Sequence, residues 1–159
     1  MKRNTFTRLL LAAALSAFFA ASNAQSIVGS WKKTDEILTG ANGKTKSTFQ
    51  TIVKRMPCFA DIIYTFSAGG KMAEKAGSCN MVLQKQVDAE TKNTHWKMVG
   101  NKAILDVSDK TSPVIHAEYI VEFAGPNEMT WTFIYAENPG VPNITKAKQM
   151  KTTYKRSGG

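Results

Sequence analysis

Residues that commonly perform acid–base or metal chemistry are scarce in this chain of 159 residues. The two histidines, His95 and His116, each fall on the polar side of an alternating segment. A solvent-exposed ring is the simplest expectation there, although a general base or a metal ligand remains open. Glu118 and Glu122 also share a polar side, without the cleft that paired catalytic carboxylates need. Since no nucleophile-elbow, phosphate-loop or zinc-helix motif occurs, we predict that the protein is not an enzyme and uses no metal or other cofactor.

The N-terminal residues have the three-part form of a secretory signal. Basic residues at the start are followed by the apolar run Leu9–Ala21 and by the small-x-small sequence Ser22-Asn23-Ala24. The alternative, a membrane anchor, is disfavoured because the run is shorter than the ~20 residues of a spanning helix. We therefore predict a signal peptide over residues 1–24, a single mature domain over residues 25–159, no stable membrane anchor, and a secreted or periplasmic location.

The two cysteines, Cys58 and Cys79, both lie in the predicted mature segment. In an exported domain, two cysteines usually form one disulfide, which closes the intervening loop and stabilises the fold by roughly 3 kcal/mol. Free thiols, a catalytic cysteine or a metal pair are the alternatives, but further soft ligands at suitable spacing are missing. The sequence therefore predicts a disulfide.

The chain is basic, with a formal net charge of +9, but three of the positive charges belong to the predicted signal. Lysines in the rest of the chain are spread out and form no dense basic run. This pattern is typical of a solvated β surface, where lysine discourages strand edges from pairing. We therefore predict that the protein does not bind nucleic acid.

The early part of the mature segment is predicted to form short β-strands separated by turns. The first two segments run from Ile27 to Leu38 and from Ser47 to Lys54. A hairpin then joins Asp61–Ser67 to Lys71–Ala76 through the turn Ala68-Gly69-Gly70. Because the two cysteines flank this hairpin, a disulfide would tie its open end.

The later part contains the clearest alternation in the sequence. After the ambiguous stretch Met81–Asn93, which fits a strand, a short helix or a loop, apolar residues recur at every second position and predict strands with one buried face. A polar loop is expected at Asp109–Pro113, and a last strand at Lys146–Arg156. The apolar face comprises Trp96, Met98, Ala103, Leu105, Val107, Ile115, Ala117, Tyr119, Val121, Phe123, Met129, Trp131, Phe133 and Tyr135.

These segments amount to eight or nine antiparallel neighbours without crossover helices. An all-β, up-and-down antiparallel β-barrel of 8–9 strands would remove the exposed strand edges. A two-sheet sandwich fits the same count, but the hairpin-after-hairpin order favours the barrel.

Three features of the sequence resemble the bacterial lipocalin-like domains of the calycin superfamily. Gly29-Ser30-Trp31 on the first strand matches the Gly-x-Trp signature. The cysteines bracket a strand of the form Ile63-Tyr64-Thr65-Phe66, and the chain ends on a strand like Thr153-Tyr154-Lys155-Arg156. The resemblance extends over nearly all of the mature chain. It implies that Trp31 closes one end of the barrel with Arg156, or Lys155, over its ring.

The resemblance also implies a function, an exported binding protein with a small hydrophobic molecule inside the barrel. The candidate interior side chains are Tyr64, Phe66, Trp96, Met98, Tyr119, Phe123, Trp131, Phe133 and Tyr135. They could line a pocket or fill the interior. In the second case, a secreted interaction or inhibitor protein would use its outer face or the stretches Met81–Asn93 and Asn138–Asn143. The protein partner is left open.

Overall fold

The computed structural model describes residues 25–109 and 112–158, so the predicted signal over residues 1–24 lies outside the described residues. Nine strands and two α-helices make up most of this part of the chain. The strands are β1 (Gly29–Gly40), β2 (Thr45–Ser47), β3 (Ile63–Phe66), β4 (Met72–Lys75), β5 (Thr94–Val99), β6 (Lys102–Asp109), β7 (Ser112–Gly125), β8 (Glu128–Ile134) and β9 (Ala147–Arg156); the helices are α1 (Phe49–Arg55) and α2 (Met81–Thr91), with short 3₁₀ helices at Pro57–Asp61 and Tyr135–Glu137.

Eight of the strands form a nearly closed antiparallel barrel, as the alternation predicts. Their order is β4-β3-β1-β9-β8-β7-β6-β5, and β2 pairs only with β1. The seam between β4 and β5 is closed by one bridge between Lys71 and His95. The Trp96 backbone N–H donates to the Gly70 carbonyl at 2.7 Å, and a Cβ on Gly70 would meet the Trp96 carbonyl oxygen at 3.0 Å. The positive φ of Gly70 and this close approach therefore require glycine at the seam.

The strand predicted over Ser47–Lys54 is wrong, because α1 occupies Phe49–Arg55. Its apolar residues Phe49 and Ile52 are three positions apart and line the same cavity, a spacing that is typical of a helix rather than a strand. The ambiguous stretch Met81–Asn93 is largely helix α2, whose N-terminus is capped by the Asn80 side chain. The expected polar loop at Asp109–Pro113 is also too long, since β7 already begins at Ser112.

One end of the barrel, the Trp31 end, is closed by Trp31 and Arg156. Trp31 is fully buried and its indole N–H donates to the Ile27 carbonyl at 2.7 Å. The Arg156 guanidinium carbon lies 4.2 Å from the centre of the Trp31 ring, and the guanidinium donates to the carbonyls of Ser26, Val28 and Pro126. A Cβ on Gly29 would collide with this guanidinium, so the close packing of Arg156 explains why glycine stands first in Gly29-Ser30-Trp31.

A disulfide joins Cys58 and Cys79, as the sequence predicts. It links the 3₁₀ helix Pro57–Asp61, before the β3–β4 hairpin, to the residue that precedes the Asn80 cap of α2. The covalent bond therefore fastens two helical segments to each other at the end of the barrel opposite Trp31. Neither α-helix in the described part of the chain is long and apolar enough to span a membrane.

Candidate functional site

The interior of the barrel contains a cavity of about 390 Å³ at the end covered by the helices. Inward-facing side chains of the strands form its wall. The cover consists of α1, the 3₁₀ helix Pro57–Asp61 and α2, which contribute Phe49, Ile52, Phe59, Leu83, Gln86 and Val87. The disulfide holds two of these three covering segments together, so it bears directly on the shape of the cavity.

The floor of the cavity is aromatic and aliphatic. The rings of Phe66 and Trp131 lie with their centres 5.1 Å apart, and Tyr119 lies 5.2 Å from Trp131. Leu105 and Met150 extend the apolar surface along β6 and β9. Because apolar contacts of this kind are largely non-directional, the floor suits apolar ligands of different shapes.

A β-bulge places an ion pair in the wall. The register between β1 and β9 shifts between Lys33 and Asp35, which leaves Thr34 as an extra residue. Strict alternation would put Lys33 and Glu36 on opposite faces, but with the bulge both line the cavity. The Lys33 ammonium donates to Glu36 Oε2 at 2.7 Å, and the Thr48 hydroxyl donates to Glu36 Oε1 at 2.6 Å.

Three tyrosines add hydroxyl groups to the same cavity. Tyr64 and Tyr154 are each 8% exposed, and their ring centres are 5.3 Å apart. Burial raises the pKa of both phenols above the usual value, and raises the pKa of Tyr119 to about 12. All three hydroxyls therefore keep their protons at neutral pH and can donate hydrogen bonds.

The carboxylates of Glu36 and Glu74 contribute to the potential at these hydroxyls. Glu74 lies on β4 opposite Tyr64 and lines the cavity. Burial is the largest cause of the raised pKa of Tyr64, and these two carboxylates raise it further because a neighbouring negative charge disfavours the phenolate. The described polar lining thus comprises an ion pair, a further carboxylate, three phenols, Gln86 and Thr152.

The structure places four of the nine interior candidates in the cavity wall: Tyr64, Phe66, Tyr119 and Trp131. Trp96, Phe123, Phe133 and Tyr135 belong to the surrounding core without lining the cavity. Met98, next to the β5–β6 turn, is 37% exposed and does not line the cavity.

Sequence reasoning missed Lys33, Glu36, Glu74 and Tyr154 as lining residues. Tyr154 alternates correctly on the last strand and could have been found with the other aromatic residues. Lysine and glutamate are residue types that favour the solvated surface, so their type gives no sign of an inward position. Lys33 shares the inner face with Trp31 two positions earlier, whereas the bulge in β1 turns Glu36 inward and the pairing of β3 with β4 places Glu74 opposite Tyr64.

The histidines lie away from the cavity. His116 is on the outer surface, where its Nδ1 lies 2.7 Å from Asp106 Oδ1 and its Nε2 lies 3.4 Å from Glu118 Oε1. The hydrogen bond with Asp106, followed by that with Glu118, raises the pKa of His116. His95 is exposed at the β4–β5 seam. Among residues 25–109 and 112–158, no group of three or more His, Cys, Asp or Glu side chains is arranged to hold a metal ion.

Comparisons of the chain with protein-family models, with curated proteins and with solved structures find no match. The functional argument therefore depends on the cavity and its lining.

Proposed function

We propose that this chain is an exported, lipocalin-like binding protein that holds a small, mainly apolar molecule in its cavity. One observation carries the proposal, namely that the barrel interior is not filled. A volume of about 390 Å³ lies within the ~300–1,000 Å³ of typical ligand pockets. Its combination of an apolar floor with a few polar groups is also typical of such pockets.

Binding would depend on removing apolar ligand surface from water. Each Å² so buried contributes about 25 cal/mol before the cost of association is subtracted. The aromatic floor around Trp131 and Phe66 offers this burial, while the phenols of Tyr64 and Tyr154 can orient a polar group. At the other mouth of the barrel, the buried Trp31 side chain and the Arg156 guanidinium over it block the exit of the ligand.

An extracellular or periplasmic location is part of the proposal. The Cys58–Cys79 disulfide is the kind of bond that persists in an oxidising compartment. The N-terminal pattern of charge, apolar run and small residues supports the same conclusion independently.

An interaction or inhibitor protein is the second candidate, and one surface favours it. Met81 and Val82, in the first turn of α2, are 76% and 78% exposed. The other predicted contact segment, Asn138–Asn143, is less available at its start, because Asn138 is buried and bonds to the backbone of Glu118 and Ile134. The cavity weighs against the filled interior that this candidate assumes.

Native mass spectrometry and calorimetry on the chain from residue 25, with a panel of lipids and aromatic molecules, test the proposal. The Gln86→Trp variant places an indole at the cavity wall and should weaken binding of any hit about tenfold or more. Lys85→Trp is the matched control, because Lys85 is exposed on the same helix and does not line the cavity. Absence of binding across the panel, or equal loss in both variants, would contradict the proposal.

A further inference from the structure

Four polar side chains of the cavity wall already have partners within the protein. Lys33 Nζ donates to Glu36 Oε2 at 2.7 Å, and the Thr48 hydroxyl donates to Glu36 Oε1 at 2.6 Å. Each oxygen of this carboxylate therefore already accepts a hydrogen bond, and the two charges of the pair compensate each other. Glu74 and Gln86 also take part in interactions of their own. A charged ligand group would have to compete with the contact between Lys33 and Glu36.

Three hydroxyl groups of the wall are in the opposite situation. Tyr64 and Tyr154 are each 8% exposed, Thr152 is 3% exposed, and all three line the cavity. In the described part of the chain, none of these hydroxyls makes a hydrogen bond to another residue. Every fully buried side-chain oxygen or nitrogen of the described residues does have a partner, so these three oxygens are accessible from the cavity. They therefore present unused hydrogen-bonding capacity to the enclosed volume.

Strand register gathers the three hydroxyl-bearing side chains on one side of the cavity, next to its apolar floor. Thr152 and Tyr154 are two positions apart on β9 and share its inner face. The ring centre of Tyr154 lies 5.3 Å from that of Tyr64 on β3, with only β1 between the two strands. On the other side, Thr152 is paired with Trp131 of β8, whose ring centre lies 5.9 Å from that of Tyr154.

These groups are suited to a ligand that accepts hydrogen bonds. Burial raises the pKa of the Tyr64 and Tyr154 phenols above the usual value, so both keep their protons at neutral pH. A carbonyl oxygen has two lone pairs and no hydrogen, so it can accept from two hydroxyl groups at once. An ammonium offers only hydrogens, for which the phenol oxygen is a weak acceptor because its lone pair is delocalised into the ring.

We propose that the ligand is an uncharged molecule with a carbonyl group, whose oxygen accepts hydrogen bonds from Tyr64 and Tyr154 and whose apolar body lies against Trp131 and Phe66. This inference rests on the proposed function, because it names the class of molecule that the cavity binds. Phe66 follows Tyr64 by two positions on the inner face of β3, and its ring centre is 5.1 Å from that of Trp131. The apolar floor therefore begins directly beside the hydroxyl groups.

Four probes, all substituted at the same position of a naphthalene ring, separate the carbonyl group from apolar burial and from charge. Acetylnaphthalene carries a ketone, and isopropenylnaphthalene has the same shape with a methylene group in place of the oxygen. Naphthoate and naphthylethylamine carry a negative and a positive charge at neutral pH. Calorimetry with the chain from residue 25 should give the ketone a dissociation constant about tenfold or more below those of both charged probes.

Tyr154→Phe removes one cavity hydroxyl and keeps the ring. It should weaken acetylnaphthalene about five- to tenfold and leave isopropenylnaphthalene nearly unchanged, because the hydrocarbon accepts no such hydrogen bond. Tyr64→Phe should have the same selective effect. Tyr135→Phe is the matched control, because Tyr135 packs against the core without lining the cavity and should alter neither affinity. The urea midpoints of the two cavity variants should stay close to that of the wild type, since the hydroxyls they lose have no protein partner.

The outcomes separate this inference from the proposed function. Equal weakening of the ketone and the hydrocarbon, or no weakening of the ketone in either cavity variant, would overturn the carbonyl inference and leave the binding function standing. Tighter binding of naphthoate or naphthylethylamine than of the ketone would overturn it in favour of a charged ligand. Failure of the ketone to bind, when members of the lipid and aromatic panel do, would overturn it as well. Failure of all four probes and of the panel would overturn the binding function itself.

Discussion

The two ends of the barrel use the same strands but differ in what they enclose. At the Trp31 end, Trp31 and Met129 are completely buried, and Arg156 covers the indole. At the helical end, the same inner face surrounds a cavity of about 390 Å³ with an ion pair in its wall. The difference shows that alternation alone does not decide whether a barrel interior is solid.

The connections between strands account for much of this contrast. Short turns connect the strands at the Trp31 end, including those at residues 67–71, 100–101 and 126–127. At the other end, the chain between β1 and β3 forms β2, α1 and a 3₁₀ helix, and α2 separates β4 from β5. Helices lying across a barrel mouth cover its interior without filling it, so the cavity remains beneath them.

The largest expected difference comes from truncating one aromatic side chain at each end. Trp31→Ala should lower the free energy of unfolding by about 3–5 kcal/mol, because the fully buried indole leaves a void in a packed region. Phe59→Ala, in the cover of the cavity, should cost less than about 2 kcal/mol, since that side chain is only partly buried. Urea denaturation measures both values, and equal losses would remove the distinction between a packed end and an open one.

Removing the disulfide should affect the helical end selectively. The double variant Cys58→Ala with Cys79→Ala should lose about 2–4 kcal/mol of unfolding free energy, since the bond closes a loop of sequence separation 21. Hydrogen exchange should accelerate in α2 and in the 3₁₀ helix Pro57–Asp61 more than around Trp31. Uniform acceleration over the barrel would show that the bond stabilises the whole fold rather than the cover.

The cavity tyrosines predict alkaline sensitivity. Burial raises the folded-state pKa of Tyr119 to about 12 from an unfolded value near 10, so the folded protein retains this proton to higher pH than the unfolded chain. Stability is therefore fully present below about pH 10 and decreases as pH rises toward 12, by about 2–3 kcal/mol for this group. Tyr119→Phe should flatten the pH dependence of urea midpoints relative to the wild type, and parallel curves would contradict it.

The smallest of these effects concerns the Trp31 end. Arg156→Lys keeps the positive charge but cannot reproduce the planar fork that reaches three carbonyl groups while it covers Trp31. A loss of about 1–2 kcal/mol is expected, with ligand affinity unchanged because the site lies at the opposite end. Lys155→Arg, on the neighbouring exposed position, is the control. A change in ligand affinity would show that the two ends are coupled.

The strands could be predicted wherever the alternating face was long and uniformly apolar. From Ala117 to Phe123, and from Met129 to Phe133, period two is unbroken, and β7 and β8 follow it. The error at α1 arose where a short segment with few apolar residues fitted both periods. Tyr135 does not continue the alternation of β8 for another reason: the strand ends at Ile134 and a 3₁₀ helix begins at Tyr135.

By itself, the sequence determined the antiparallel barrel and the cysteine pair, because side-chain alternation and a single pair of thiols are local properties of the chain. Tertiary structure decided that Glu36 and Glu74 face inward, since a bulge and the partner strand set their direction. It also decided that a cavity remains, because its volume depends on where α1 and α2 lie across the barrel mouth. The charge of the site therefore follows from strand register rather than from residue type.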